Sequence, residues 1–372
     1  ENGVTDRTIG IILDGTGYGT DGTIWGGEVL VGDLADFERF AWLRPFALPG
    51  GTAAIKHPWR TAYALLQASH PGNDPFRRGR PESAPRAAAC PNGRHSIPSP
   101  TAIPAWLSDS LLPFKSAAER EAFDKVIRQG INTPLTSSCG RLFDGVSALL
   151  GLCDEVTYEG QAAIALEIAA EGGVAGRSPG LIPGRLTTPG SISERLSREA
   201  ISVLKGREVT PGFSPGPAGP NSDPRAGFNP RGIHSNWIPD QSMPRTRSGT
   251  RDDGVFEPAG CSLDWTPILR FIVDDLQNDV PTSVIARSFH ASLADLFVGA
   301  AVHARSETGV NRVGLSGGVF QNRLLFDDIR TKLQSQGFEV IMHRRVPTND
   351  GGLAYGQAAV AAQRLSVQRP GC

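Results

Sequence analysis

The chain alternates between segments with a clear apolar pattern and segments with none. Thr8-Ile9-Gly10-Ile11-Ile12-Leu13 is an apolar run that stops at Asp14-Gly15, which predicts a strand entering a turn. Ile24 to Val31 predicts the return strand, and the stretch between the two holds Gly15, Gly17, Gly19 and Gly22. Phe123, Val126 and Ile127 share a helical face, and Leu142, Phe143, Val146, Leu149 and Leu150 form a stripe at three- and four-residue spacing. Gly140 is expected to precede that helix and Gly151 to end it. Gln161 to Ala170 predicts another helix. A long amphipathic helix is expected through Ile285, Phe289, Leu293, Leu296, Phe297 and Ala300. After it come a strand at Arg312–Ser316, a helix at Asn322–Ser335, a strand at Phe338–His343 and a final Ala-rich helix opened by Asn349-Asp350-Gly351-Gly352. Strand, glycine turn and helix, twice over, is an α/β pattern.

Two stretches interrupt this order. Residues 71–104 carry eight prolines and five arginines, and residues 171–260 carry 12 prolines and 15 glycines. Both are expected to be disordered or loosely packed insertions, with a short helix over 193–204 as the alternative for part of the second. The expected divisions are 1–70, the remainder of an N-terminal lobe; 71–104, an insertion; 105–170, a helical part of a cleft; 171–260, the second insertion; and 261–372, a C-terminal α/β lobe.

Charge and composition narrow the function. Lys plus Arg is 37 against 38 Asp plus Glu, so the net charge is −1 and a generally basic nucleic-acid coat is excluded. The arginines of the first insertion have no interleaved aromatic residues and read as a solvated loop, so no nucleic-acid partner is expected. No apolar run reaches ~18–20 residues, so no membrane span is expected. Five widely spaced cysteines with no C-x-x-C point to a reduced, cytoplasmic chain. Cys139 lacks an assignable base and reads as a packed small residue rather than a nucleophile. The N-terminus has no signal-peptide pattern and no initiator Met, and the chain is expected to be a fragment or processed product.

The candidate chemistry lies in three glycine turns: Asp14-Gly15-Thr16-Gly17-Tyr18-Gly19, Ser316-Gly317-Gly318-Val319 with Asn322, and Asp350-Gly351-Gly352. Glycine lets backbone N–H groups approach an anion, and a helix N-terminus favours negative charge. None of the three fits a P-loop or a Rossmann fingerprint, which disfavours a P-loop NTPase and a dinucleotide-dependent dehydrogenase.

With these turns in place the chain resembles the carbamoyltransferase module of the HypF family of hydrogenase-maturation proteins. The resemblance rests on Ile12-Leu13-Asp14-Gly15-Thr16-Gly17-Tyr18-Gly19, Trp25-Gly26-Gly27-Glu28, Ala47-Leu48-Pro49-Gly50-Gly51 and Pro58-Trp59-Arg60. It continues through Ser137-Ser138-Cys139-Gly140-Arg141-Leu142-Phe143-Asp144, Tyr158-Glu159-Gly160-Gln161, Ser316 to Arg323 and Asn349-Asp350-Gly351-Gly352-Leu353. It covers about two-thirds of the chain and leaves out the two insertions.

The resemblance implies a two-lobed actin/sugar-kinase/Hsp70-like (ASKHA) fold, here with an incomplete first lobe and two Pro/Gly-rich insertions. It implies ATP, ADP or carbamoyl-adenylate between the lobes and a divalent metal near the phosphate: zinc or iron in the complete protein, with magnesium as an alternative. The implied reaction moves a carbamoyl group from carbamoyl-adenylate, made by upstream domains, to the C-terminal cysteine thiolate of a HypE-type partner. Asp14 and Asp350 match the catalytic, metal-binding carboxylates. Gly15, Gly17, Gly140, Arg141, Asp144, Glu159, Gly160, Gly317, Gly318 and Asn322 match nucleotide-binding positions, with Asp144 expected to accept from ribose hydroxyls.

The chain departs from the family where the metal's histidines are concerned. The family's histidine element lies upstream of the Asp14 strand, and none of the seven histidines here forms a pair at ligand spacing. His290 reads as a core or interface residue. The chain alone is therefore expected to be inactive. Two rival functions stay open at this point: a tRNA threonylcarbamoyl-transferase-like enzyme, disfavoured by Leu13-Asp14-Gly15-Thr16-Gly17, and a non-catalytic fragment that keeps a nucleotide-binding or partner-docking surface.

Overall fold

Strand β1 (Thr8–Tyr18) is the axis of the architecture. Ile9, Ile11 and Leu13 are fully buried on one face, the period-two burial of a pleated strand. β1 pairs antiparallel with β2 (Ile24–Gly32) and parallel with β7 (Arg312–Ser316), which pairs parallel with β8 (Glu339–Met342). On the other side of β2 lie β3 (Phe37–Leu43) and the short strands β4 (Phe46–Ala47), β5 (Leu135–Thr136) and β6 (Cys261–Leu263). The described strands form one sheet ordered β4-β5-β2-β1-β7-β8, with β3 joining β2 to β6. The computed structural model describes residues 2–69, 117–172 and 261–368. Apart from residues 171 and 172, the two insertions and the alternative helix over 193–204 lie outside the described residues.

Helices cover the sheet. In chain order they are α1 (Thr52–Lys56), α2 (Trp59–Ser69), α3 (Ala117–Gln129), α4 (Cys139–Leu149), α5 (Gln161–Ala170), α6 (Thr266–Gln277), α7 (Thr282–Thr308), α8 (Arg323–Ser335) and α9 (Leu353–Gln368). α4 packs on β1 and is flanked by α2 and α5, while α7 runs against α5, α6, α8 and the sheet. Phe143 of α4 meets Phe289 and His290 of α7 edge-on, with ring centroids 5.0 and 5.2 Å away. By length and composition α7 could cross a membrane, but 67% of its apolar window is buried inside the fold. An apolar helix packed on several sides is the ordinary core case.

The expected strand at Arg312–Ser316 and helix at Gln161–Ala170 have the bounds read from the pattern. Two local expectations need correction. Asp14-Gly15 is not a reversal: β1 continues to Tyr18, the register with β2 slips between Leu13 and Gly17, and the chain turns at Gly19–Thr23. Gly140 does not precede its helix but sits in the first turn of α4, because Ser138 is the cap and its Oγ accepts from the Arg141 amide at 3.1 Å. The helices α2 and α6 and strand β3 were not anticipated. Tyr63, Leu65 and Leu66 bury α2 almost completely, which removes the polar face that periodicity depends on.

Candidate functional site

The site forms where the parallel pairing of β1 with β7 stops. The last pair between β1 and β7 is Ile12 with Ser316, so Gly317-Gly318 leave the sheet beside Asp14, from which β1 runs on with β2 alone. The carboxyl ends of adjacent strands are where open α/β sheets place ligands. Gly317 has φ +110, and a Cβ there would lie 2.1 Å from the Leu13 carbonyl oxygen, so no side chain fits. The Asp14 carboxylate accepts from the Gly15 amide at 2.7 Å and from the Gly318 amide. Burial pushes the Asp14 pKa up, these two amides oppose the shift, and the nearby charges of Asp350 and Glu159 raise it further.

The third glycine turn is tied to the second. The Gly317 amide donates to the Thr348 carbonyl at 2.9 Å, and the Thr348 hydroxyl donates to the Gly317 carbonyl at 3.1 Å. This double link holds the Asn349–Gly352 turn and the start of α9 beside Asp14. Asp14 and Asp350 are thus brought within electrostatic reach although they lie 336 positions apart in sequence.

Helix α4 closes the other side. The Ser138 hydroxyl lies 2.6 Å from the Gly15 carbonyl oxygen and 2.9 Å from that of Asp14. A Cβ on Gly140 would stand 2.8 Å from the Gly15 Cα, so the first turn of α4 and the Gly15 loop are in backbone contact. The positive end of the helix is therefore directed at the loop, which suits an anion. Gly17 lies beyond this contact, paired with Trp25 in the hairpin.

Arg141 and Asp144 form a buried ion pair at 3.0 Å on α4, and Arg141 Nε has no hydrogen-bond partner. Asp144 is only 3% exposed, not a surface carboxylate. Burial pushes its pKa to about 6 and Arg141 pulls the other way. Gly160 adopts the left-handed conformation that starts α5, with Glu159 just before it.

Asn322 and the start of α8 are already occupied. The Asn322 side-chain oxygen accepts from the Leu325 amide at 2.9 Å, and its Nδ2 lies 3.0 Å from Nε2 of His290. Glu167 of α5 accepts from the amides of Arg323 at 2.7 Å and Leu324 at 3.2 Å. This helix start carries the protein's own carboxylate, a cap from a distant element that local sequence does not announce. His290 is fully buried, its pKa pushed down to about 4 by that burial. Cys139 is fully buried and its thiol is pushed up, so it is a packed residue.

Among the described residues, no three His, Cys, Asp or Glu side chains form a group able to hold a metal ion. Asp14 and Asp350 do not make a four-ligand zinc site. One or two carboxylates do suit magnesium or manganese whose remaining ligands are phosphate oxygens and water.

A family model described as "Carbamoyltransferase, Kae1-like Domain, second subdomain" matches residues 10–188 and 246–357, most of the chain. The chain belongs to the HypF carbamoyltransferase family. It is 30% identical over 357 residues to carbamoyltransferase HypF of Rhodobacter capsulatus, covering 95% of this chain and 32% of that protein. It is 30% identical over 371 residues to carbamoyltransferase HypF of Synechocystis sp., covering 98% of this chain and 35% of that protein. It thus spans about a third of the length of these relatives. Among solved structures it is similar to full-length HypF in a phosphate- and nucleotide-bound form, with a TM-score of 0.61, 28% identity, and coverage of 97% of this chain and 34% of that one. The mixed α/β fold expected from sequence is shared with this HypF structure.

Proposed function

We propose that this chain is a carbamoyltransferase module, carrying parts of both lobes of an ASKHA fold, that passes carbamoyl from carbamoyl-adenylate to the C-terminal cysteine thiolate of a HypE-type protein in nickel–iron hydrogenase maturation. The observation that carries this reading is the meeting of Asp14, Gly317-Gly318, Asp350 and the first turn of α4 where the pairing of β1 with β7 stops. The phosphate- and nucleotide-bound relative supports a nucleotide ligand. The buried free cysteines Cys139 and Cys153 suit a reduced, cytoplasmic setting.

In this reading the chain acts by positioning and electrostatics. The Gly15 loop and the first turn of α4 receive phosphate, with Arg141 behind them as the buried cation. Gly317, Gly318 and Asn322 shape the adenosine side, Asn322 through the turn it caps rather than through a free amide. A divalent cation held by Asp14 and Asp350 together with phosphate oxygens would neutralise charge and polarise the carbamoyl carbonyl. The external thiolate then attacks that carbonyl and the adenylate phosphate leaves. This chain supplies the cradle; the attacking sulfur and the carbamoyl-adenylate come from elsewhere.

Calorimetric titration with ADP tests the cradle. In magnesium or manganese the chain should bind ADP, Asp14→Asn and Asp350→Asn should each weaken it, and protein purified without added metal should carry little zinc. Tight zinc that survives both substitutions would show that the carboxylates have been misassigned. ADP affinity unchanged by either substitution would do the same for the cradle.

A further inference from the structure

Glu28 lies in the middle of β2 and is 2% exposed, yet the chemistry above gives it no task. Its two oxygens are fully engaged. One accepts from the amides of Gly26 and Gly27, both at 2.7 Å. The other accepts from Arg39 Nη2 at 2.9 Å and from the Ser137 hydroxyl. All four contacts are donors, so the ionised carboxylate satisfies every one and a protonated one would not. Arg39 is itself fixed, its guanidinium 3.9 Å from the Trp25 ring centroid and 4.6 Å from that of Trp42, with Asp21 as second counter-charge at 2.8 Å.

Of the groups that Glu28 holds, Gly26 lies directly against Asp14 and Ser137 precedes a residue that does. Gly26 has φ +151, and a Cβ there would lie 2.5 Å from the Asp14 carbonyl oxygen and 3.2 Å from the Ser138 Cα. A Cβ on Gly27 would lie 2.3 Å from the Ser137 carbonyl oxygen. Ser137 leads into Ser138, whose hydroxyl reaches the Asp14 and Gly15 carbonyls. One buried carboxylate therefore clamps β2 to the loop entering α4 at the place where both contact the Asp14 backbone. A buried ion pair is weak as a source of stability alone, since packed apolar residues do as well. Its placement points to geometry instead.

We propose that Glu28 is a positioning residue: through Gly26, Gly27 and Ser137 it fixes the spacing between Asp14 and the first turn of α4 that the nucleotide and its cation require. The inference rests on the reading of Asp14 given above. The test is calorimetric ADP binding in manganese by the whole chain, in four forms: unaltered, E28Q, D14N and the double variant. E28Q retains an acceptor for the glycine amides but turns a donor toward Arg39 and Ser137. It should weaken ADP binding about tenfold, the scale of losses from groups that orient a ligand. In the D14N background the same change should alter affinity by less than about twofold, because the group it acts through is gone. Equal losses in both backgrounds, or no loss from E28Q, would overturn the proposal. If D14N alone leaves affinity unchanged, Asp14 has been misplaced and the proposal falls with it, an outcome recognisable without reference to Glu28. Should E28Q not fold, S137A removes one donor and keeps the carboxylate. It should then show about a threefold loss, again absent in D14N, and equal threefold losses would be refuting.

Discussion

Asp144 makes the protein's stability depend on pH in a way that can be isolated by one substitution. Its carboxyl is buried on α4 with Arg141 as its charged partner at 3.0 Å, and its pKa rises from 3.8 to about 6 in the folded state. Below 3.8 the group is protonated in both folded and unfolded chains and has no pH-dependent effect. Between 3.8 and about 6 the folded state holds a proton that the unfolded state has released, so stability falls as pH rises. Above that window the buried charge imposes its full cost. A shift from 3.8 to about 6, at ~1.4 kcal/mol per pH unit, comes to about 3 kcal/mol. Asp144→Asn removes the titration and nearly preserves shape. The unfolding free energies of the unaltered chain and the variant, from urea titrations at pH 4 to 7.5, should therefore diverge by about 3 kcal/mol across the range, the variant gaining relative to the unaltered chain as pH rises. The constant offset reports the lost ion pair; only the slope reports the buried proton. Parallel profiles would refute the reasoning, since they would mean that Arg141 or water compensates the carboxylate fully.

Three further outcomes follow from local geometry. Gly317→Ala should cost ~3 kcal/mol or more, because it combines a strained φ with a contact no side chain tolerates, and a thermal midpoint within two degrees of the unaltered chain would contradict this. Glu167→Ala should cost about 1–2 kcal/mol by uncapping the Arg323 and Leu324 amides, read from urea midpoints; faster hydrogen exchange in the first turn of α8, with α4 unaffected, would locate the effect. Phe143→Ala should cost ~3–5 kcal/mol, because it empties the space between α4 and α7 where Phe289 and His290 meet the ring, and a loss under about 1 kcal/mol in the same assay would place that junction outside the core.

The sequence determined the elements whose signals are local. Period-three and period-four apolar stripes marked α3, α4 and α7, and an apolar run closed by glycines marked β7. The glycine turns were legible because close backbone approach excludes side chains wherever the chain runs. Gly317 against Leu13 and Gly140 against Gly15 show that constraint at its strictest. Only tertiary structure decided the rest. α2 is buried around its circumference and so has no polar face to betray it. Asp14-Gly15 reads locally as a turn, yet pairing on both sides of β1 carries the strand through a register slip instead. Glu167 of α5 with the first amides of α8, and Glu28 with Arg39 and Ser137, are contacts between residues 11 to 157 positions apart, which local pattern does not announce. The exposure of Asp144 was likewise unreadable, because the charge of a residue does not reveal whether the fold leaves it in water or buries it against an arginine one helical turn away.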